Sequence, residues 1–492
     1  MLSNHLPILQ VVIPLIFAPV CVILRNGTLS WVLASLVSCI TFIIACLLFT
    51  SVSGGNNITY ALGGWVAPAG IEYHVDLLTA YMLLIINAVA VVVVIAARES
   101  LASEIASDRL YLFYAAFLLN LTGLLGVVMT GDAFNLFVFI EIASLSSYAM
   151  ISISRDRRCL YAAFKYLILG TIGASFILIS VGLLYAVTGT LNIFDLSDRL
   201  GNVENTNTVI TALIFFTIGI AIKAAIFPLH LWLPDAYTYS PVIVSTFLAG
   251  TTTKVFIYAL IRFIYSLFGY EFSFNQLVLN DLLMILACGA VLYGSIQAIR
   301  QDSIKRLLAY SSIAQIGYMV LGISIATELG LAASLAHVFN HAVIKVALFL
   351  SVACIIYRYN TEMISQLHGI SKFMPYTSAC FLLGGLSLIG IPLTAGFTSK
   401  WLLIQASFSA GYWSLVIIIV FSSILSILYV WKVVEAAYFK TPTVELSNNN
   451  IQNAPRLLYI ALFIFVLANL YFGIETSVNI GFAKDIAYGL VN

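Results

Sequence analysis

The sequence predicts an all-α polytopic membrane protein of about 14 transmembrane helices, with two inverted five-helix repeats (spans 4–8 and 9–13) and with helices 7 and 12 broken. Three observations carry this expectation. Of 492 residues, 62% are hydrophobic and only 9% charged, against about 25% charged in soluble domains. Fourteen apolar runs are long enough to cross a bilayer. Short segments of the first half also recur, in the same order, in the second.

The runs fall at 7–24, 29–50, 75–97, 111–130, 132–153, 160–187, 208–228, 241–268, 280–299, 304–325, 329–357, 375–405, 411–438 and 455–473. The longest polar connections, near 51–73, 188–207 and 440–454, are too short for a soluble domain. The chain therefore divides into N-terminal helices (1–110), a first five-helix unit (111–268), a second (280–438) and a last helix with its tail (439–492). Odd-numbered loops and their edges carry 13 of the 22 basic residues; even-numbered loops and the tail carry 2, Arg199 and Lys484. Basic residues stay on the cytoplasmic side, which puts both termini outside. No Lys or Arg precedes Arg25, so no cleaved leader is expected. A formal net charge of +1 offers no electrostatic basis for nucleic-acid binding. The seven cysteines are scattered, without a C-x-x-C, and read as core thiols.

The repeat rests on three matches. AFKYLILG (Ala163–Gly170) pairs with VIKVALFL (Val343–Leu350), FPLHLWLPDA (Phe227–Ala236) with IPLTAGFTSK (Ile391–Lys400), and SSYAMISIS (Ser146–Ser154) with IGYMVLGIS (Ile316–Ser324), at offsets of 180, 164 and 170 residues. A unit of five spans turns its second copy upside down, an arrangement typical of transporters with sites near the midplane. Pro228 and Pro392 each remove a backbone donor in mid-span and break spans 7 and 12. One proline alone would read as an ordinary kink. Two at matched positions point to backbone facing a polar cavity.

The remaining seven basic residues lie inside spans. Glu141, Lys223, Lys254, Lys345 and Lys400 lie deep in spans 5, 7, 8, 11 and 12. A charge at a helix centre costs about 2.5–3.5 kcal/mol, so five unpaired ones would cost on the order of 15 kcal/mol. Lys165, seven residues past Arg158, and Arg262 and Lys432 near span ends read instead as side chains reaching for the interface. In AHVFNHAVIK, His337, His341 and Lys345 are spaced i, i+4, i+8 and share a helix face. H-x-x-x-H also binds zinc, but Val338 stands where a zinc protease has its glutamate. No metal and no cofactor is expected.

The pattern fits proton handling. Burial disfavours a charged amine, and a nearby carboxylate restores it, so a lysine with a movable partner is a switchable proton site. Glu141 is the natural partner of Lys223. From there a relay would run through His341 and Lys345 to Lys254 and Lys400, with His337, His230, Asp235, Lys165, Pro228 and Pro392 in secondary roles.

The stretches GDAFNLFVFIEIASLSSY, AIKAAIFPLHLWLPDAYTYSP, STFLAGTTTKVFIYAL, NHAVIKVALFL and GIPLTAGFTSKWLL resemble the antiporter-like subunits shared by respiratory complex I, membrane-bound hydrogenases and Mrp-type cation/proton antiporters. The resemblance covers nearly the whole chain. GDAFNLFVFIEI and GFTSKWLL are most similar to the D-type subunits of Mrp antiporters. It implies the family's fourteen-helix fold and functional roles for Glu141, Lys223, Lys254, His341, Lys345 and Lys400. It also implies a hetero-oligomer in the cell membrane, with Mrp-type A, B, C, E, F and G subunits as partners. Protons and a monovalent cation, expected to be sodium, would be exchanged. The same residues would serve a proton-pumping subunit of a redox complex, whose redox centres lie on partner chains. A purely structural subunit is disfavoured by the midplane charges.

Overall fold

The structure is a computed structural model that describes residues 2–201, 203, 206–276, 279–442 and 453–491. It is almost entirely helical. Three helices lead: α1 (Leu6–Leu24), α2 (Gly27–Val52) and α3 (Leu77–Glu104). The first five-span unit holds α4 (Leu110–Met129), α5 (Ala133–Ser152), α6 (Arg158–Thr188), a short surface helix α7 (Ile193–Leu200), the split seventh span α8 (Thr206–Lys223) and α9 (Leu233–Tyr239), and the eighth span α10 (Val242–Gly250) and α11 (Thr252–Ile261). The second holds α12 (Leu279–Ile299), α13 (Ile304–Ser324), α14 (Glu328–Tyr359), the split twelfth span α15 (Pro375–Ile389) and α16 (Ala395–Ser409), and α17 (Trp413–Val434). Then come α18 (Arg456–Ile474) and α19 (Ser477–Val491).

Among the described residues, 13 helices are long and apolar enough to cross a membrane, and the split α15–α16 span completes the expected set. The caps agree with the sequence: Asp76, Asp132, Ser303 and Thr327 each accept the backbone N–H three residues on, closing the first turn of α3, α5, α13 and α14. Small residues set the helix spacing. A Cβ on Gly219 of α8 would meet the Gly173 carbonyl of α6 at 2.6 Å, so only glycine lets these two helices approach so closely.

Both expected breaks are present, with different extents. Span 7 unwinds from Ala224 through Trp232, so its second half lies beyond the stretch that periodicity marked. Span 12 unwinds only over 390–394. Each break holds one non-glycine residue in the left-handed region, Ala225 (φ 56°) and Leu393 (φ 71°), a conformation costing of order 1–3 kcal/mol. The eighth and thirteenth spans share another mark of the repeat: each ends in a π-helical turn, Arg262–Leu267 and Glu435–Phe439.

Other features depart from the linear reading. Span 8 is interrupted at Thr251 (φ −124°, ψ −61°), where there is no proline. The connection at 51–73 folds into an antiparallel hairpin, β1 (Ile58–Ala61) with β2 (Glu72–Val75). The C-terminal tail forms α19, whose Asn479 accepts from the Tyr81 hydroxyl at 2.6 Å and donates to Asn340 Oδ1 at 3.0 Å. Most of the connection at 440–454 lies outside the described residues.

Candidate functional site

Lys223 is the last residue of α8 and is fully buried. Its ammonium donates to Glu141 Oε1 at 3.0 Å and to Ser144 Oγ at 2.7 Å, one turn further along α5. α5 thus supplies both partners from one face. Glu141 is a quarter exposed, at the edge of a stripe of exposed apolar residues, Phe134, Val138 and Leu145.

The break beside Lys223 is closed by a side chain. The Trp232 indole N–H donates to the Ile222 carbonyl at 2.7 Å. The indole lies flat on Tyr166, with ring centroids 3.7 Å apart and planes 3° from parallel. His230 is buried against Phe227 and Tyr293, and neither ring nitrogen has a protein partner. Asp235, on α9, is bound by Lys165 at 2.7 Å and approached by Arg306 at 3.4 Å. Lys165 therefore does not run out to the interface as its position suggests. It reaches sideways from α6 and ties down the far side of the broken span.

Lys254 is fully buried just past the Thr251 interruption. Its ammonium donates to the Ala249 carbonyl and, at 3.4 Å, to Thr253 Oγ1. That carbonyl is available because the interruption costs α10 its regular hydrogen bonds. On α14, Lys345 donates to the Leu308 carbonyl at 2.8 Å and to Ser311 Oγ. His341 is buried with both nitrogens unpartnered, its ring parallel to that of His337 with centroids 6.1 Å apart. His337 Nδ1 pairs with Ser399 Oγ at 2.9 Å. Lys254 lies within electrostatic reach of His341 and Lys345.

Lys400, on α16, turns back to the end of α15. It donates to the Leu388 and Ile389 carbonyls, both at 3.0 Å, and to Ser423 Oγ at 3.3 Å, and it lies 4.8 Å from the centre of the Tyr318 ring. Tyr318 in turn packs against His337, with centroids 5.6 Å apart. The structure thus gathers Glu141 with Lys223, Lys254 with His341 and Lys345, and His337 with Tyr318 and Lys400. Lys223 and Lys254 bond to separate sets of partners. The two prolines mark the unwound segments, and both are exposed at the chain surface.

Residues 130–426, which span every group just described, match the family described as NADH:quinone oxidoreductase/Mrp antiporter, transmembrane. The chain belongs to this family. Relatives include the N subunit of the NADH-quinone oxidoreductase of Desulforudis audaxviator, 40% identical over 89% of this chain and 87% of the relative. Another is the D-type subunit of the Na(+)/H(+) antiporter of Alkalihalophilus pseudofirmus, 32% identical over 82% and 81%. Among solved structures, a chain of the Mrp complex from Dietzia sp. DQ12-45-1b superposes with a TM-score of 0.90 at 25% identity, covering 100% of this chain and 98% of that one.

Within this antiporter family fold, several polar partners escape the linear reading. Ser144, Ser311 and Ser423 supply hydroxyls to three of the lysines. Serines at helical spacing from a buried charge are the signal for them, and that signal is faint because helical serines commonly bond their own backbone. Arg262 does not reach for the interface as its place near a span end suggests. It is buried in a bidentate pair with Asp76, at 2.7 and 2.8 Å.

Proposed function

We propose that the chain is the proton-translocating subunit of a multisubunit Mrp-type sodium/proton antiporter, with protons moving through the Glu141, Lys223, Lys254, His341, Lys345 and Lys400 series. The observation that carries this reading is the Glu141–Lys223 pair at the end of a broken helix. The lysine is fully buried and the carboxylate is at the edge, a quarter exposed. Movement of Glu141 switches whether the amine holds its proton. The position of Glu141 also supports a partner subunit: a carboxylate on an apolar stripe facing bare lipid would be costly. The basic-residue distribution supports both termini lying outside, with Arg155, Arg157 and Arg158 on the cytoplasmic face.

A second reading, a proton-pumping subunit of a redox-driven complex, is favoured by the 40% relative named as an oxidoreductase subunit. Purifying the native complex and identifying its subunits separates the two. Small antiporter subunits support the first reading, and iron–sulfur or quinone-site subunits the second. Sodium-dependent proton movement in inverted vesicles then tests transport directly, and its absence from an intact complex would refute the antiporter reading.

A further inference from the structure

The Asp76–Arg262 pair lies outside the series of groups described above. Asp76 caps α3 directly after the hairpin, and Arg262 opens the π-helical turn that follows α11. Besides its two bonds to Asp76, the guanidinium donates to Thr79 Oγ1 at 3.2 Å and to the Tyr258 hydroxyl at 3.3 Å. The Tyr258 hydroxyl donates to the Val128 carbonyl at 2.6 Å. Lys254, Tyr258 and Arg262 are spaced i, i+4, i+8 and so climb one helix face from the middle of the span toward the hairpin. Tyr258 and Arg262 share with His74 and Thr130 a cavity of about 10 Å³, about the size of one water. Burial pulls the His74 imidazole below its ordinary value, with Asp76 and Glu72 opposing and Arg262 adding to the effect. A neutral imidazole is then available on the hairpin face.

Tyr258, Thr79, Arg262 and His74 form a polar cluster between the hairpin face and the helix that carries Lys254, whose ammonium turns the other way to the Ala249 carbonyl, and a guanidinium stands in that cluster. Arginine does not give up its proton in a protein, so Arg262 cannot relay one. Paired with the Asp76 carboxylate, the guanidinium instead fills the passage with a group that neither takes up nor releases a proton. The bidentate carboxylate holds that charge in place.

We propose that Arg262, locked by Asp76, is a plug that keeps protons from crossing between the hairpin face and Lys254. The first repeat is thereby closed at this end, and an imposed proton gradient is held. The proposal rests on Lys254 being a proton site, as read above. Lys254→Ala alone tests that reading, by loss of antiport, and Arg262→Ala alone tests the plug.

The test measures proton leak. Membranes containing the complex are given a pH gradient without sodium, and its decay is normalised to the amount of complex. Arg262→Ala and the isosteric Asp76→Asn should each raise the leak severalfold. Arg262→Lys, which keeps the charge, should restore most of the seal. Adding Lys254→Ala or Tyr258→Phe to Arg262→Ala should return the leak to the wild-type level. A wild-type leak per complex in both Arg262→Ala and Asp76→Asn would overturn the plug. So would a leak that survives loss of Lys254, because protons would then pass elsewhere. If no complex accumulates with any change of the pair, Arg262→Lys included, the pair serves folding alone and the proposal falls.

Discussion

The two broken spans present the same problem and meet it differently. In span 7 the Ile222 carbonyl accepts from the Ala225 N–H at 3.2 Å and from the Trp232 indole at 2.7 Å, donors that carry no exchangeable charge. Lys223 is therefore free to face Glu141 and Ser144. In span 12 no indole performs this role. Lys400 itself caps the Leu388 and Ile389 carbonyls, and its other neighbours are a hydroxyl and an aromatic ring, with no carboxylate among its hydrogen-bond partners. A cation at a helix C-terminus is favoured by the helix dipole, so the backbone takes the place of the counter-ion. The first lysine has a partner that can move away. The second has a partner fixed in the fold, and its charge must respond to water or to a neighbouring charge.

The largest expected effects lie at the first break. Lys223→Ala should reduce sodium-dependent proton movement in inverted vesicles to background at normal complex level. Lys223→Arg should fail as completely, because arginine stays protonated in any protein environment. Wild-type transport by Lys223→Arg would reduce Lys223 to a fixed charge and erase its difference from Lys400.

Next is the carboxylate. Glu141→Gln keeps the shape and removes the charge, and transport should be lost. Glu141→Asp shortens the reach by one methylene and should leave partial activity, about a tenth to a third of wild type if the weakened pair costs roughly 1 kcal/mol. Normal antiport by Glu141→Gln at normal protein level would dismiss the switch.

The comparison can also be inverted. Ser423→Asp places a carboxylate beside Lys400 and makes the second site resemble the first. The added counter-charge should hold the proton and slow turnover about tenfold, equivalent to about 1.4 kcal/mol in the barrier. An unchanged rate would mean that Lys400 never has to release its proton during transport.

Much of this was legible in the sequence, for identifiable reasons. Pro228 and Pro392 dictate breaks locally. The deep positions of Glu141 and Lys223 forced a pairing, because an isolated charge at that depth is too costly. What the sequence hid depends on distant partners. The Lys165–Asp235 pair joins residues 70 positions apart, and the Arg262–Asp76 pair joins residues 186 apart. Position along a span says that a side chain can reach the interface, not that another segment will meet it first. The interruption at Thr251 carries no proline to mark it, and there the Lys254 ammonium takes the Ala249 carbonyl. The linear reading gives the tail no helix of its own, and it forms α19, which meets α14 through Asn479 and Asn340.

The smallest expected effect tests the cause of the difference between the breaks. Trp232→Phe keeps an aromatic ring for Tyr166 to stack on and removes only the indole N–H. The Ile222 carbonyl, one residue before Lys223, then keeps only the Ala225 N–H at 3.2 Å, and the lost hydrogen bond costs about 0.5–1.5 kcal/mol. The Lys223 ammonium can then turn from Glu141 toward this carbonyl, as Lys400 turns toward the backbone in span 12. Thermal stability of the complex should fall by a few degrees, and transport should slow by a factor of two to five or so. Most of the deficit should disappear in Trp232→His, whose ring can donate a hydrogen bond. If Trp232→Phe transports normally and His offers no recovery, the indole does not hold Lys223 free for Glu141, and the two lysines differ only in having or lacking a carboxylate.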